Sequence, residues 1–211
     1  MNLPYFAEYN EKNQIILALQ KGADVNQQEL NGFTALFIAC RYDYPDLIEV
    51  LLQDKHINVN LYDYNKNSPF ILACSHYQFE CVHMMLRDAR VDVNLANING
   101  WHPLMYACFS GYTQIVQLLL SYGRNIDVNK KATRDSWTRY KSGSTALDIA
   151  IIKKNTDIIQ LLKQYQNNPN ETKKLWRDKL GLKGKIEKRR KRIIKKSKKK
   201  KKKKKKRIEQ T

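Results

Sequence analysis

Apolar positions along this chain come in pairs of short bursts, each pair followed by a polar stretch. The first burst of a pair ends at Ala39, Ala73, Ala107 or Ala150. The second runs over Leu47–Leu52, Phe79–Leu86, Ile115–Leu120 or Ile158–Leu162, with apolar residues at helical spacing. Between pairs lies a short extended segment, Asp24-Val25-Asn26, which returns as Asn58-Val59-Asn60, Asp92-Val93-Asn94 and Asp127-Val128-Asn129, at steps of 34, 34 and 35 residues. The pattern predicts a helical hairpin in each cycle, then an extended stretch and a turn containing Gly32, Gly100 or Gly143. One such hairpin cannot bury its own apolar face, whereas stacked neighbours can, so the body reads as a solenoid.

The start of each first helix carries its own signals. Thr34, Ser68 and Thr145 precede it as hydroxyl caps, able to accept from amides two or three residues on. Pro69 and Pro103 fall at the first helical position, where a missing N–H is harmless. Markers keeping one order over four cycles exclude chance.

These motifs resemble the ankyrin repeat. Its pattern G-x-T-P-L-H-x-A is met by Gly32-Phe33-Thr34-Ala35-Leu36-Phe37-Ile38-Ala39 and by Gly100-Trp101-His102-Pro103-Leu104-Met105-Tyr106-Ala107. Gly22-Ala23-Asp24-Val25-Asn26 and Leu118-Leu119-Leu120 match its closing half. The resemblance covers roughly residues 5–166 and implies an all-α solenoid with β-hairpin fingers. The expected units are a partial leading repeat over 1–29, repeats over 30–63 and 64–97, a repeat over 98–140 with a long finger at 130–141, a closing repeat over 141–168, and a tail over 169–211. Departures are visible: the motif His is Phe37, Ile71, Met105 or Asp148, and Gly gives way to Lys66, Asp43, Tyr77 and Lys154. These departures predict modest stability in an intact fold.

The repeat also explains the cysteines. Cys40, Cys74 and Cys108 stand 34 residues apart at one inward position. Helices stacked roughly 8–10 Å apart hold such positions beyond the ~7 Å reach of a disulfide. They read as reduced core residues, which favours an intracellular setting, cytoplasmic or nuclear. The chain opens without a basic region and apolar run, so no secretory leader is expected. Cys74, His76, Cys81 and His83 match no zinc spacing, so no metal or cofactor is expected.

Charge divides the chain. Residues 1–172 carry 16 Lys+Arg against 17 Asp+Glu, and residues 173–211 carry 23 against 3, out of a total net charge of +19. A near-neutral body bearing a basic tail excludes a uniformly basic nucleic-acid-binding globule. No phosphate loop, nucleophile elbow or zinc-hydrolase motif occurs, and no carboxylate pair has an acid/base arrangement. No catalytic residue is assigned. The resemblance implies instead a non-enzymatic, monomeric scaffold that holds a protein partner on its concave face. Phe33, Arg41, Tyr42, Tyr64, Asn67, His76, Trp101 and Phe109 are the positions it places there. Aromatics in a row are the composition of interface hot spots.

Two segments depart from the repeat. Asp127 to Gly143 spans 16 residues where the equivalent Asp92–Gly100 spans 8. The insertion adds five basic residues with Trp137, Arg139 and Tyr140, a mixture suited to an acidic peptide or a nucleic-acid backbone. A tolerated surface insertion is the plain alternative. In the tail, Leu175, Leu182, Ile186 and Ile193 could line one helical face, and Lys198–Arg207 is ten consecutive cations. Lys188, Arg189, Arg190, Lys191 and Arg192, with Lys198, Lys199 and Lys200, resemble a nuclear-import signal read by a carrier. The same charges suit nucleic acid without sequence preference. An anionic membrane surface ranks below both, and a low-complexity extension without function stays open.

Overall fold

A computed structural model describes residues 2–135 and 140–182. Within them lie eleven helices: α1 (Leu3–Glu8), α2 (Lys12–Gln20), α3 (Ala35–Tyr42), α4 (Pro45–Gln53), α5 (Pro69–Ser75), α6 (Phe79–Arg87), α7 (Pro103–Ser110), α8 (Thr113–Ser121), α9 (Ala146–Ile152), α10 (Thr156–Asn167) and α11 (Pro169–Lys179). Consecutive pairs form hairpins. The hairpins stack so that α1, α3, α5, α7 and α9 make an inner row and α2, α4, α6, α8 and α10 an outer one. The leading segment, expected as a partial repeat, carries both helices.

The inner row is the more closely packed. Small residues explain this: Ala39, Ala73, Ala107 and Ala150 are fully buried, as are Cys40, Cys74 and Cys108. All four cysteines are free and buried, and burial pushes the thiols of Cys40, Cys74 and Cys108 upward, so they behave as core residues. The positions where the family has His hold Phe37, Ile71 and Met105, each buried in the stack.

Capping follows the sequence. Thr34 Oγ1 accepts from Phe37 N–H and Ser68 Oγ from Ile71 N–H, while Thr145 and Asp148 cap each other reciprocally. His102 takes the same position before α7 but makes no capping bond. Its ring is fully buried and neither nitrogen has a partner. Burial, with Lys130 nearby, lowers its pKa to about 4.

Between repeats, one asparagine does the joining. Asn26 Oδ1 accepts from Asn58 N–H and its amide donates to His56 O; Asn60 repeats this with Asp92 and Arg90, and Asn94 with Asp127 and Asn125. Arginines reach back to close helix ends, where carbonyls lack partners. Arg90 donates to Leu52 O and Asp54 O after α4, and Arg124 to Leu86 O and Asp88 O after α6.

The fingers are tight turns. Each has a narrow pair of backbone bonds, such as Asn97 N–H to Trp101 O and Gly100 N–H to Asn97 O. The expected β-hairpin fingers take the form of these closed turns, and among the described residues Tyr140 alone forms a β-bridge.

The turn joining inner to outer helix has one residue in the left-handed region in every repeat: Asn10, Asp43, Tyr77, Gly111 and Lys154, with φ between 54° and 75°. Only Gly111 adopts it freely; a larger L residue there costs about 1–2 kcal/mol. Lys66 bears the same strain at a finger tip where its counterparts are Gly32 and Gly100.

Packing extends past the composition break at residue 169. Helix α11 lies against α8 and α10. Trp176 and Leu182 are buried in the same core, and Arg177 Nε donates to Ser121 O at 2.6 Å, closing α8 as Arg124 closes α6. Leu175, placed on the apolar stripe by spacing, is instead 51% exposed. Among the described residues the packing runs through to Leu182.

Candidate partner-binding face

The inner helices and fingers form one side of the stack, and the residues assigned to it divide into three groups. The first is exposed. Arg41, Tyr42, Tyr64 and His76 stand on the surface, Tyr64 at 76% exposure. Phe33 and Asn67 are half-buried. Phe33 stacks on Phe37 with ring centres 4.5 Å apart, and the Arg41 guanidinium lies 5.8 Å from the Phe33 ring and 5.4 Å from that of Tyr42. Asn67 is held by Asp63, whose carboxylate accepts from both its backbone and side-chain N–H groups.

The second group has turned inward. Trp101, placed on the binding face by sequence, is 1% exposed. It meets Tyr106, Phe109 and Tyr140 edge-on at 5.2, 5.6 and 5.4 Å. Tyr140, assigned to the finger's contact surface, is likewise buried because it closes over Trp101. Both belong to the core. Phe109 keeps a half-exposed edge, with Lys153 Nζ 4.6 Å above its ring.

The third group lies outside the described residues: Trp137, Arg139, Lys188–Arg192 and Lys198–Lys200. The arms that carry the long finger are built in. Thr133 and Arg134 N–H donate to Asn99 O of the preceding finger, and Asp135 accepts from Ser142 N–H at 2.7 Å. Thr133 lies so close to Gly100 that a Cβ there would fall 2.4 Å from its nitrogen. Lys131, Arg134 and Lys141 are exposed around this base, while Lys130 donates to Asn94 O.

The arrangement is a surface. Among the described residues no group of three His, Cys, Asp or Glu is placed to hold a metal, and no helix is long and apolar enough to cross a membrane. The groove of about 290 Å³ between α4 and α6, lined by Glu49, Met84 and Arg87, brings together no nucleophile and base.

One family model, described as ankyrin repeats (3 copies), matches residues 3–97, 60–132 and 89–173. The chain belongs to the ankyrin-repeat family. Ankyrin repeats are protein–protein interaction modules and typically non-enzymatic, so a protein partner follows from the family. The last ankyrin match ends at residue 173, inside α11 and short of Trp176 and Arg177, which nevertheless pack on the stack. A comparison with curated proteins finds no match.

Sequence reading did not single out the tyrosines near the ends of the inner helices. Tyr9, Tyr77 and Tyr112 share with Tyr42 the turn between inner and outer helix. They recur at intervals of 33, 35 and 35 residues and so shift in register: Tyr9 and Tyr42 precede the left-handed residue of their turns, Tyr77 is that residue, and Tyr112 follows it.

Proposed function

We propose that this protein is a scaffold that holds a protein partner against the inner-helix side of its ankyrin stack, through Phe33, Arg41, Tyr42, Tyr64, Asn67, His76 and the open edge of Phe109. The observation that carries the reading is the exposure of Tyr42 and Tyr64, together with the Arg41 guanidinium lying over the Phe33 and Tyr42 rings. Aromatic and arginine anchors of this kind dominate binding energies. In this reading the protein is intracellular and monomeric, and Lys188–Arg192 with Lys198–Lys200 set its location through an import carrier or polyanions.

The second reading is nonspecific nucleic-acid binding through the tail and the 130–141 finger. Its support is the concentration of 23 Lys+Arg in residues 173–211 and the exposed Lys131, Arg134 and Lys141. Such binding weakens about 10³–10⁵-fold between 50 and 200 mM salt.

Affinity capture from nuclease-treated lysate separates the two. The full chain is compared with an Arg41→Ser/Tyr64→Ser variant and with a chain ending at Leu182, a cut that spares α11. A discrete protein held through a high-salt wash by the full chain and the shortened one, and lost by the variant, is the expected result. Retention that needs the tail and vanishes with salt would replace the first reading by the second.

A further inference from the structure

The tips of the first three fingers repeat one pattern, an apolar residue followed by asparagine: Leu30-Asn31, Tyr64-Asn65 and Ile98-Asn99, at steps of 34 residues. Contacts between neighbouring fingers set these tips side by side. Across the first pair, Gln28 Nε2 donates to Tyr62 O, and a Cβ on Gly32 would lie 3.2 Å from Asp63 Cα. Across the second, Ile98 N–H donates to Asn65 O at 3.0 Å and Asn97 Nδ2 to Asn67 Oδ1 at 3.1 Å. The row therefore runs unbroken over three fingers. It ends at the fourth, where Thr133-Arg134 takes the same place and Thr133 N–H donates to Asn99 O.

The side chains of this pattern do little for the fold. Leu30 and Tyr64, at 89% and 76% exposure, are the two most open large hydrophobics among the described residues, and Ile98 is half-buried. The side-chain amides of Asn31, Asn65 and Asn99 make no hydrogen bond among the described residues. The other recurring asparagines, Asn26, Asn60 and Asn94, each bond twice to the next repeat. Charge is sparse at the tips: Asp63 is buried against Asn67, and Glu29 is balanced in number by Lys66.

We infer that the fingertip row docks an extended, uncharged segment of the protein partner, with an apolar side chain at every third residue. The inference rests on the reading that this side of the stack holds a protein, and it adds Leu30, Asn31, Asn65, Ile98 and Asn99 to that surface. Stacked helices repeat about every 8–10 Å. A polyproline-type segment advances about 9 Å per three-residue turn, so successive turns meet successive fingers. Its backbone N–H and C=O groups are free, and each carboxamide offers them an acceptor and a donor. An α-helix meets the same spacing with every seventh residue, but it pairs its own backbone and leaves the three carboxamides unused.

The test is a calorimetric titration of the full chain with two end-capped peptides of one composition. One repeats leucine–proline–proline three times; the other has three leucines followed by six prolines and so loses the period. Saturable binding of the periodic peptide is expected, about tenfold tighter than that of its isomer. It should be equal at about 50 and 200 mM salt, unlike polyanion binding. Leu30→Ser and Asn65→Ala should each weaken it about tenfold. Both residues are exposed, so the circular dichroism of each variant should match that of the parent. Leu17→Ser removes an exposed leucine of α2, away from the fingers, and should leave the affinity unchanged.

Absence of binding overturns the inference, as does equal affinity for the two peptides, full affinity in Leu30→Ser and Asn65→Ala, or an equal loss in Leu17→Ser. In any of those cases, a partner captured by the full chain and lost by Arg41→Ser alone keeps the broader scaffold reading.

Discussion

The two edges of the inner helix row are built on opposite principles. At the finger edge the same devices recur in successive repeats: the asparagine that joins neighbours, the hydroxyl cap, and the turn closed by a pair of backbone bonds. At the turn edge the backbone recurs while most side chains change, apart from Gln78 and Asn155, which each reach back to an inner-helix carbonyl. One residue per repeat enters the left-handed region, and its identity changes from Asn10 to Asp43, Tyr77, Gly111 and Lys154. Where these side chains repeat, they hold the stack. Where the backbone repeats and side chains vary, the fold tolerates the variation, and the surface chemistry of each repeat is set there.

Trp101 is the strongest challenge to this division, since it lies at the finger edge yet has no equivalent in other repeats. If it belongs to the core, Trp101→Ala should destabilise by about 3–5 kcal/mol, read as a fall in the urea midpoint. Undiminished stability together with lost partner binding would return it to the surface.

His102 breaks the capping series at the same edge. Its folded pKa of about 4 lies below the usual value, so between those two values the unfolded chain binds the extra proton. Stability is therefore present above about pH 6.5 and declines as pH falls toward 4, by about 2 kcal/mol from this group at pH 5. Asp127 opposes the shift and Lys130 adds to it. His102→Thr restores the hydroxyl used at Thr34 and Thr145 and should remove this part of the acid sensitivity, measured as Tm against pH in both proteins.

The smallest effect tests the turn edge itself. Lys154→Gly should stabilise by about 1 kcal/mol through relief of its φ of 58°. No gain in Tm would mean that the turn compensates its strain through contacts of the lysine side chain.

The stack was legible in the sequence because caps, small inward residues and D-V-N segments are local requirements that every repeat must meet. Trp101 was not, because its burial is set from a distance. Its counterparts Phe33, Asn67 and Ser144 are half-buried, and only the long finger brings a Tyr140 to close over the ring. Trp176 was hidden by its neighbours: Lys173, Lys174, Arg177 and Lys179 make the segment read as tail, though one aromatic and one arginine suffice to dock it. The charged face of α11 says nothing of its buried one.

The backward reach of Arg90, Arg124 and Arg177 gives the stack a direction like that of a knitted row. Each guanidinium is a stitch thrown onto the preceding loop, and the last among the described residues, from Arg177 to Ser121, ties α11 to α8. A pull from the tail reaches that stitch after the buried Leu182. Because each repeat is held mainly by its neighbours, the fabric then ravels from the C-terminal end, one hairpin at a time.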